Sequence, residues 1–246
     1  MRLTAIASGG YAPRRARATR SDDSVRRKFL LDVAGAIGRK ILGTEAETTQ
    51  LVRAAGVSVG ERRLLVWSAD PKVQADVAQT AAAGIVPITR APYVGVSVVN
   101  KGGDKLDYYL DRSLTWQRTG CGSTRETTVT ITLTNNAPAK GLPIDVTRRS
   151  DSHSWLVKAG DNRLQVSYFA TSGAVLRDVS IDAKPAAVLT GSERGHPVFS
   201  VDLELQRGTS RTVVLHLAEP AGSGRPTVLR QPLVIPLTVS LADARC

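Results

Sequence analysis

Beyond Pro92 apolar side chains recur at every second position, and this period of two limits the fold more than any other feature of the chain. Successive side chains of a strand point to opposite faces, so the alternation marks strands with one buried face. Over 105–117 the even positions Leu106, Tyr108, Leu110, Leu114 and Trp116 are apolar, with Lys105, Asp107, Asp111, Ser113 and Gln117 between them. Val129, Ile131 and Leu133 alternate with Thr128, Thr130, Thr132 and Thr134. The pattern returns at Leu164, Val166 and Tyr168, at Phe199, Val201, Leu203 and Leu205, at Val213, Leu215 and Leu217, and at Leu237, Val239 and Leu241. Turn-forming stretches such as Asn135-Asn136-Ala137-Pro138 and Arg207-Gly208-Thr209 separate the segments. Roughly seven such strands predict an immunoglobulin-like antiparallel β-sandwich over 91–246.

The preceding part reads differently. Val25, Phe29, Leu30, Val33, Ile37 and Ile41 recur at helical spacing, predicting a helix over 24–42 with Gly43 as its stop. A second helix is expected over 45–55. A buried strand is expected over 63–68, Arg-Leu-Leu-Val-Trp-Ser, and a third helix over 71–82, with Pro71 in its first turn. Residues 23–90 thus form a small, incomplete α/β portion, and the whole chain is α+β.

Residues 1–22 are expected to be a disordered basic tail. Across 246 residues, 33 Lys+Arg against 22 Asp+Glu give a net charge of +11. Residues 1–44 hold ten basic and three acidic side chains, 10 − 3 = +7, which leaves only +4 for the remainder. The charge belongs to the front of the chain, where only Tyr11 interleaves the arginines of the tail, so the composition argues against a nucleic-acid partner. No apolar run approaches the roughly 18 residues of a membrane-spanning helix, and no secretory signal is recognisable. Two Cys and three His are too few for a cysteine-rich zinc module or an iron–sulfur cluster, and no cofactor is expected.

Few positions invite chemistry. Asp104, Asp107 and Asp111 form an acidic motif. On one strand Asp107 and Asp111 would lie about 13–14 Å apart, outside the roughly 5–9.5 Å of paired glycosidase carboxylates. They are weak binding candidates, as is Trp155, whose indole could stack on a sugar ring. The string Asp151-Ser152-His153 holds the residue types of a hydrolase triad, but sequence neighbours cannot adopt its geometry. Gly56-Val57-Ser58-Val59-Gly60 matches a nucleophile-elbow string with the helix and strand in reversed order. His196 and His216 have no metal spacing. Cys121 and Cys246 are candidates for a disulfide in an oxidising compartment and for free thiols in a reducing one; a loop of that length would add about 4–5 kcal/mol by the chain-entropy model.

The strings Arg62-Arg63-Leu64-Leu65-Val66-Trp67-Ser68-Ala69-Asp70-Pro71, Gly103-Asp104-Lys105-Leu106-Asp107-Tyr108-Tyr109-Leu110-Asp111-Arg112-Ser113 and Thr132-Leu133-Thr134-Asn135 resemble an actinobacterial family, domain of unknown function 4012. The resemblance covers about residues 24–246. It implies a membrane-anchored extracytoplasmic setting and a chain that is the C-terminal part of something longer, whose helix face of Phe29, Val33 and Ile37 is then exposed. Together these readings favour a non-enzymatic cell-envelope binding or structural module, with envelope polysaccharide or another envelope protein as partner. The alternative is an enzyme acting on envelope glycans through acidic residues from different strands.

Overall fold

The computed structural model describes residues 20–42 and 48–244. Most of the basic tail, the Gly43 stop, the start of the second expected helix and Cys246 lie outside the described residues. The chain divides into two units, residues 1–58 and 59–246.

In the first unit helix α1 (Arg20–Leu42) spans the region of helical spacing, with Arg39 and Lys40 in its last turn, where they oppose the negative end of the helix dipole. Val25, Phe29, Leu30, Val33 and Ile37 are exposed along it. Helix α2 (Thr48–Gly60) runs across the unit boundary and five residues beyond the expected end at 55. Ser58 is therefore inside a helix and cannot sit on a strand-to-helix elbow.

Residues 63–68 are not a buried strand: Leu65, Val66 and Trp67 are exposed, Trp67 by 77%. The segment runs beside a single carbonyl, Val66 N–H donating to Ala82 O at 2.8 Å. A short apolar run fixes neither burial nor pairing, and no neighbouring strand takes up its remaining backbone groups in the described residues. Helix α3 (Pro71–Val77) starts as expected, Asp70 accepting from the backbone N–H of Lys72 and Val73. It stops five residues early because Thr80 caps a separate 3₁₀ turn, Ala81–Ala83, that closes on Gly84 at φ 65°.

Two sheets follow, mixed with few helices. Strands β1 (Tyr93–Asn100), β2 (Leu110–Thr119), β3 (Thr124–Asn135), β4 (Asn162–Phe169), β5 (Val175–Ile181), β6 (Lys184–Pro185), β7 (Leu189–Glu193), β8 (His196–Leu205), β9 (Ser210–Pro220), β10 (Thr227–Arg230) and β11 (Thr238–Asp243) are joined by turns and one short helix, α4 (Ile144–Thr147). One sheet has the order β10-β1-β4-β8-β7 and the other β11-β2-β3-β9-β5-β6. Both late strands pair in parallel, β10 on β1 and β11 on β2, while the other pairings are antiparallel.

The apolar phase of each strand meets in one core. Val94, Val96, Val98, Leu164, Val166, Tyr168, Val201 and Leu203 come from the first sheet; Leu114, Trp116, Val129, Ile131, Leu133, Val213, Leu215 and Leu217 come from the second. This layering is that of a β-sandwich. Three buried charged residues sit in the same phase. Arg118 is buried and forks onto both carboxylate oxygens of Asp243 at 2.8 and 2.6 Å, tying β11 to β2. Glu219 accepts from Thr127 Oγ1, and burial holds its carboxyl above the usual range. Arg112 lies under the 231–237 segment.

Candidate functional site

The acidic motif is not one strand face. Leu106–Tyr109 is a 3₁₀ turn and β2 begins only at Leu110, so Asp107 and Asp111 belong to different elements. The turn is built around Asn100, whose Nδ2 donates to Asp104 Oδ1 at 2.8 Å and to Asp107 Oδ1 at 3.1 Å. Two oxygens bonded to one nitrogen lie at most 2.8 + 3.1 = 5.9 Å apart. The two carboxylates thus stand far closer than the roughly 13–14 Å expected on one strand. Both are engaged in the fold, however. Asp104 Oδ1 also accepts from Leu106 N–H, and Asp107 Oδ1 from Asn162 Nδ2. Burial raises the Asp104 carboxyl above its ordinary value, and its Oδ2 has no partner. Asp111 is exposed, its Oδ1 accepting from the backbone N–H of Arg112, and it shares with Asp107 an electrostatic attraction to the buried Arg112 guanidinium.

The structure adds a cluster that the spacing of the sequence did not suggest. On β4 and β8 the residues between the core positions face outward in register: Arg163 opposite Glu204, Gln165 opposite Asp202, Ser167 opposite Ser200. Gln165 Nε2 donates to Asp202 Oδ1 at 3.1 Å, and the two serine hydroxyls are 2.7 Å apart. Across one end of this polar face runs the 148–160 loop. Arg149 forks onto Asp151 and onto Glu204, and Arg163 reaches Asp151, Asp202 and Glu204. The Arg149 hydrogen bonds are the main cause that holds the Asp151 carboxyl down at about 2, and Asp151 in turn raises the Arg149 guanidinium.

Trp155 rides on this network. Its indole covers the Arg163 guanidinium at 5.4 Å and lies 5.9 Å from the His153 ring, with 44% of the residue exposed. Of the three tryptophans only Trp116 is a core residue; Trp155 and Trp67 are on the surface. His153 is a loop residue, its Nδ1 3.2 Å from the Asp151 backbone oxygen. His196 and His216 are strand residues, and Glu219 faces away from His216. No group of three His, Cys, Asp or Glu side chains placed to hold a metal occurs among the described residues. Cys121 is disulfide-bonded, and the position expected as its partner, Cys246, lies outside the described residues. No helix of the described residues is long and apolar enough to cross a membrane.

No family model matches the chain, and no curated protein does. Among solved structures, a two-domain M1 zinc metallopeptidase bound to L-tryptophan is similar to it at 16% identity with a TM-score of 0.24, over 45% of this chain and 19% of that one. The match thus spans less than a fifth of that protein's length.

Proposed function

We propose that the chain is a binding module of the cell envelope that holds polysaccharide on the outer face of β4 and β8, with Trp155 as its stacking platform. One observation carries this reading: a half-exposed indole, backed by Arg163 at 5.4 Å, borders a flat row of amide, hydroxyl and carboxylate groups. A sugar ring offers an apolar face and equatorial hydroxyls, so an aromatic plate beside fixed donors and acceptors suits it. Because the β4–β8 ladder and the Arg149–Asp151–Arg163 network already position these groups, little ordering would accompany binding.

The finer fold reading, an immunoglobulin-like sandwich, belongs to the same proposal, as do the placement beside the actinobacterial family, the envelope location and a Cys121–Cys246 link. The three motifs support the placement: the second and third come together in space, Leu110 pairing with Asn135 and Asp111 with Thr134.

Affinity electrophoresis in gels containing cell-wall polysaccharide tests the function. Wild-type protein is expected to be retarded, Trp155→Ala to lose the retardation, and Trp67→Ala, which removes a more exposed indole elsewhere, to keep it. Equal mobility of wild type and Trp155→Ala overturns the reading. Release of reducing ends that vanishes in Asp107→Asn would replace it with the glycan-cleaving enzyme, for which the close Asp104–Asp107 approach is the favouring observation.

A further inference from the structure

A second concave site lies on the second unit, formed by the 60–63 turn and the 228–237 segment. It encloses about 380 Å³, within the roughly 300–1,000 Å³ of small-molecule pockets. Its apolar lining comes from Val228, Leu233 and Leu237, with Pro232 and Pro236 stiffening the segment. Its charged lining is Arg62, Arg63 and Arg230 against the single acid Glu61, which is spent on Arg63 at 3.0 Å. The Arg230 guanidinium has no hydrogen bond or ion pair among the described residues, and the Arg62 guanidinium makes one hydrogen bond, Nη2 to Gly84 O at 2.7 Å.

Arg62 follows α2 at φ 59°, its backbone N–H donating to Val59 O at 2.9 Å, as a turn residue closing that helix. One further feature sets this site apart from a chance dent. Behind the opposite wall Arg112 is 1% exposed and donates from Nη2 to the carbonyls of Gln231 and Ile235 at 3.3 and 3.1 Å. Its Nε and Nη1 have no partner. The wall therefore rests on a buried guanidinium, itself faced by Asp107 and Asp111, while the arginines of the 60–63 turn and Arg230 supply the positive charge at the apolar hollow.

We propose that this cavity binds an amphiphilic anion: a phosphate or carboxylate carried on an alkyl or aryl body. The anion would meet Arg230 and Arg62, and the apolar body would lie against Val228, Leu233 and Leu237. Neither half alone accounts for the lining, since inorganic phosphate leaves the apolar floor wet and an alcohol leaves the arginines unused. The site lies apart from the Trp155 face and does not depend on it.

Isothermal titration of the full chain with octyl phosphate is the test, with octanol and inorganic phosphate as the two half-ligands. Octyl phosphate is expected to bind at one site per chain, about tenfold or more tighter than either half, and more weakly as salt rises. Arg230→Ala, at an exposed position and expected to leave the melting temperature unchanged, should weaken binding by about fivefold or more, with Arg230→Lys recovering part of it. Absence of saturable binding, more than one equivalent bound, or a loss below about fivefold in Arg230→Ala overturns the proposal.

Discussion

The side-chain amide of Gln231 pairs with both backbone groups of Val98: Val98 N–H donates to Oε1 at 2.8 Å and Nε2 donates to Val98 O at 2.9 Å. β10 ends at Arg230, so the amide acts as one more strand residue alongside β1 and anchors the segment that turns away toward β11. A parallel edge of four residues is short, and this anchor, with the Arg112 bonds to Gln231 and Ile235, gives the segment a fixed path. Gln231→Leu keeps the bulk and removes both bonds, leaving two strand groups of Val98 without partners. A loss of about 1–3 kcal/mol is expected in urea denaturation, against less than about 0.5 for the exposed neighbour Val234→Thr.

The acidic turn separates a structural role from a surface one. Asn100 holds Asp104 and Asp107 together and also accepts from Gly103 N–H, so Asn100→Ala leaves the buried Asp104 short of a donor. It should cost about 2 kcal/mol or more, whereas Asp111→Ala should stay within about 0.5. Equal effects in thermal melts would show that the Asn100 bonds contribute no more to the fold than an exposed carboxylate does.

Lowering the pH should loosen the 148–160 loop before the sheets unfold. Asp151 titrates at about 2 in the fold, below its ordinary value of 3.8, because Arg149 donates to it. A depressed carboxylate contributes its full stability above the unfolded value and loses it as the pH falls through the folded one. The window is therefore about pH 4 down to 2, and Trp155, seated on Arg163, reports it. A change in tryptophan emission across that interval is expected in wild type and in Trp67→Phe, and not in Trp155→Phe. Asp151→Asn should remove the acid step.

How much of this was legible in the sequence follows from range. The period of two located β3, β4, β8 and β9 because each strand buries one face of its own alternation. The same pattern held a second signal: Arg112 and Arg118 share the even phase of Leu110, Leu114 and Trp116, and Glu219 shares that of Val213, Leu215 and Leu217. A charge in the apolar phase marks a buried polar contact, but not its partner, since Asp243 lies 125 residues from Arg118. The 63–68 run failed for the opposite reason. Its composition is that of a strand, yet pairing requires a neighbour, and Trp67 is exposed without one. Trp155 and the acidic turn were visible as residues; the Arg149–Asp151–Arg163 network joining the loop to β8 was not, because it depends on β4–β8 register.

His196 joins two parts of the second unit that the sheets do not. It is fully buried, with Nδ1 2.8 Å from the Ala170 carbonyl oxygen and Nε2 2.9 Å from that of Pro87, and its ring lies 4.2 Å from the Tyr93 ring. Nδ1 thus faces the end of β4, while Nε2 faces the 81–88 stretch, which also receives Val66 N–H at Ala82 O. His196→Phe keeps the contact with Tyr93 but removes the ring N–H from between the two carbonyls. A buried carbonyl that loses its donor costs on the order of 1–3 kcal/mol, partly relieved at the Pro87 end if that stretch moves out to water. The 81–88 stretch has the fewer bonds, so it should yield while β4 and β8 stay paired. Hydrogen exchange resolves the two: the amides of Val66 and Gly84 should exchange about tenfold faster or more in His196→Phe, with those of Val166 and Val201 unchanged. Uniform acceleration across all four would mean that His196 supports the unit as a whole and that the 81–88 stretch does not open separately from the sheet.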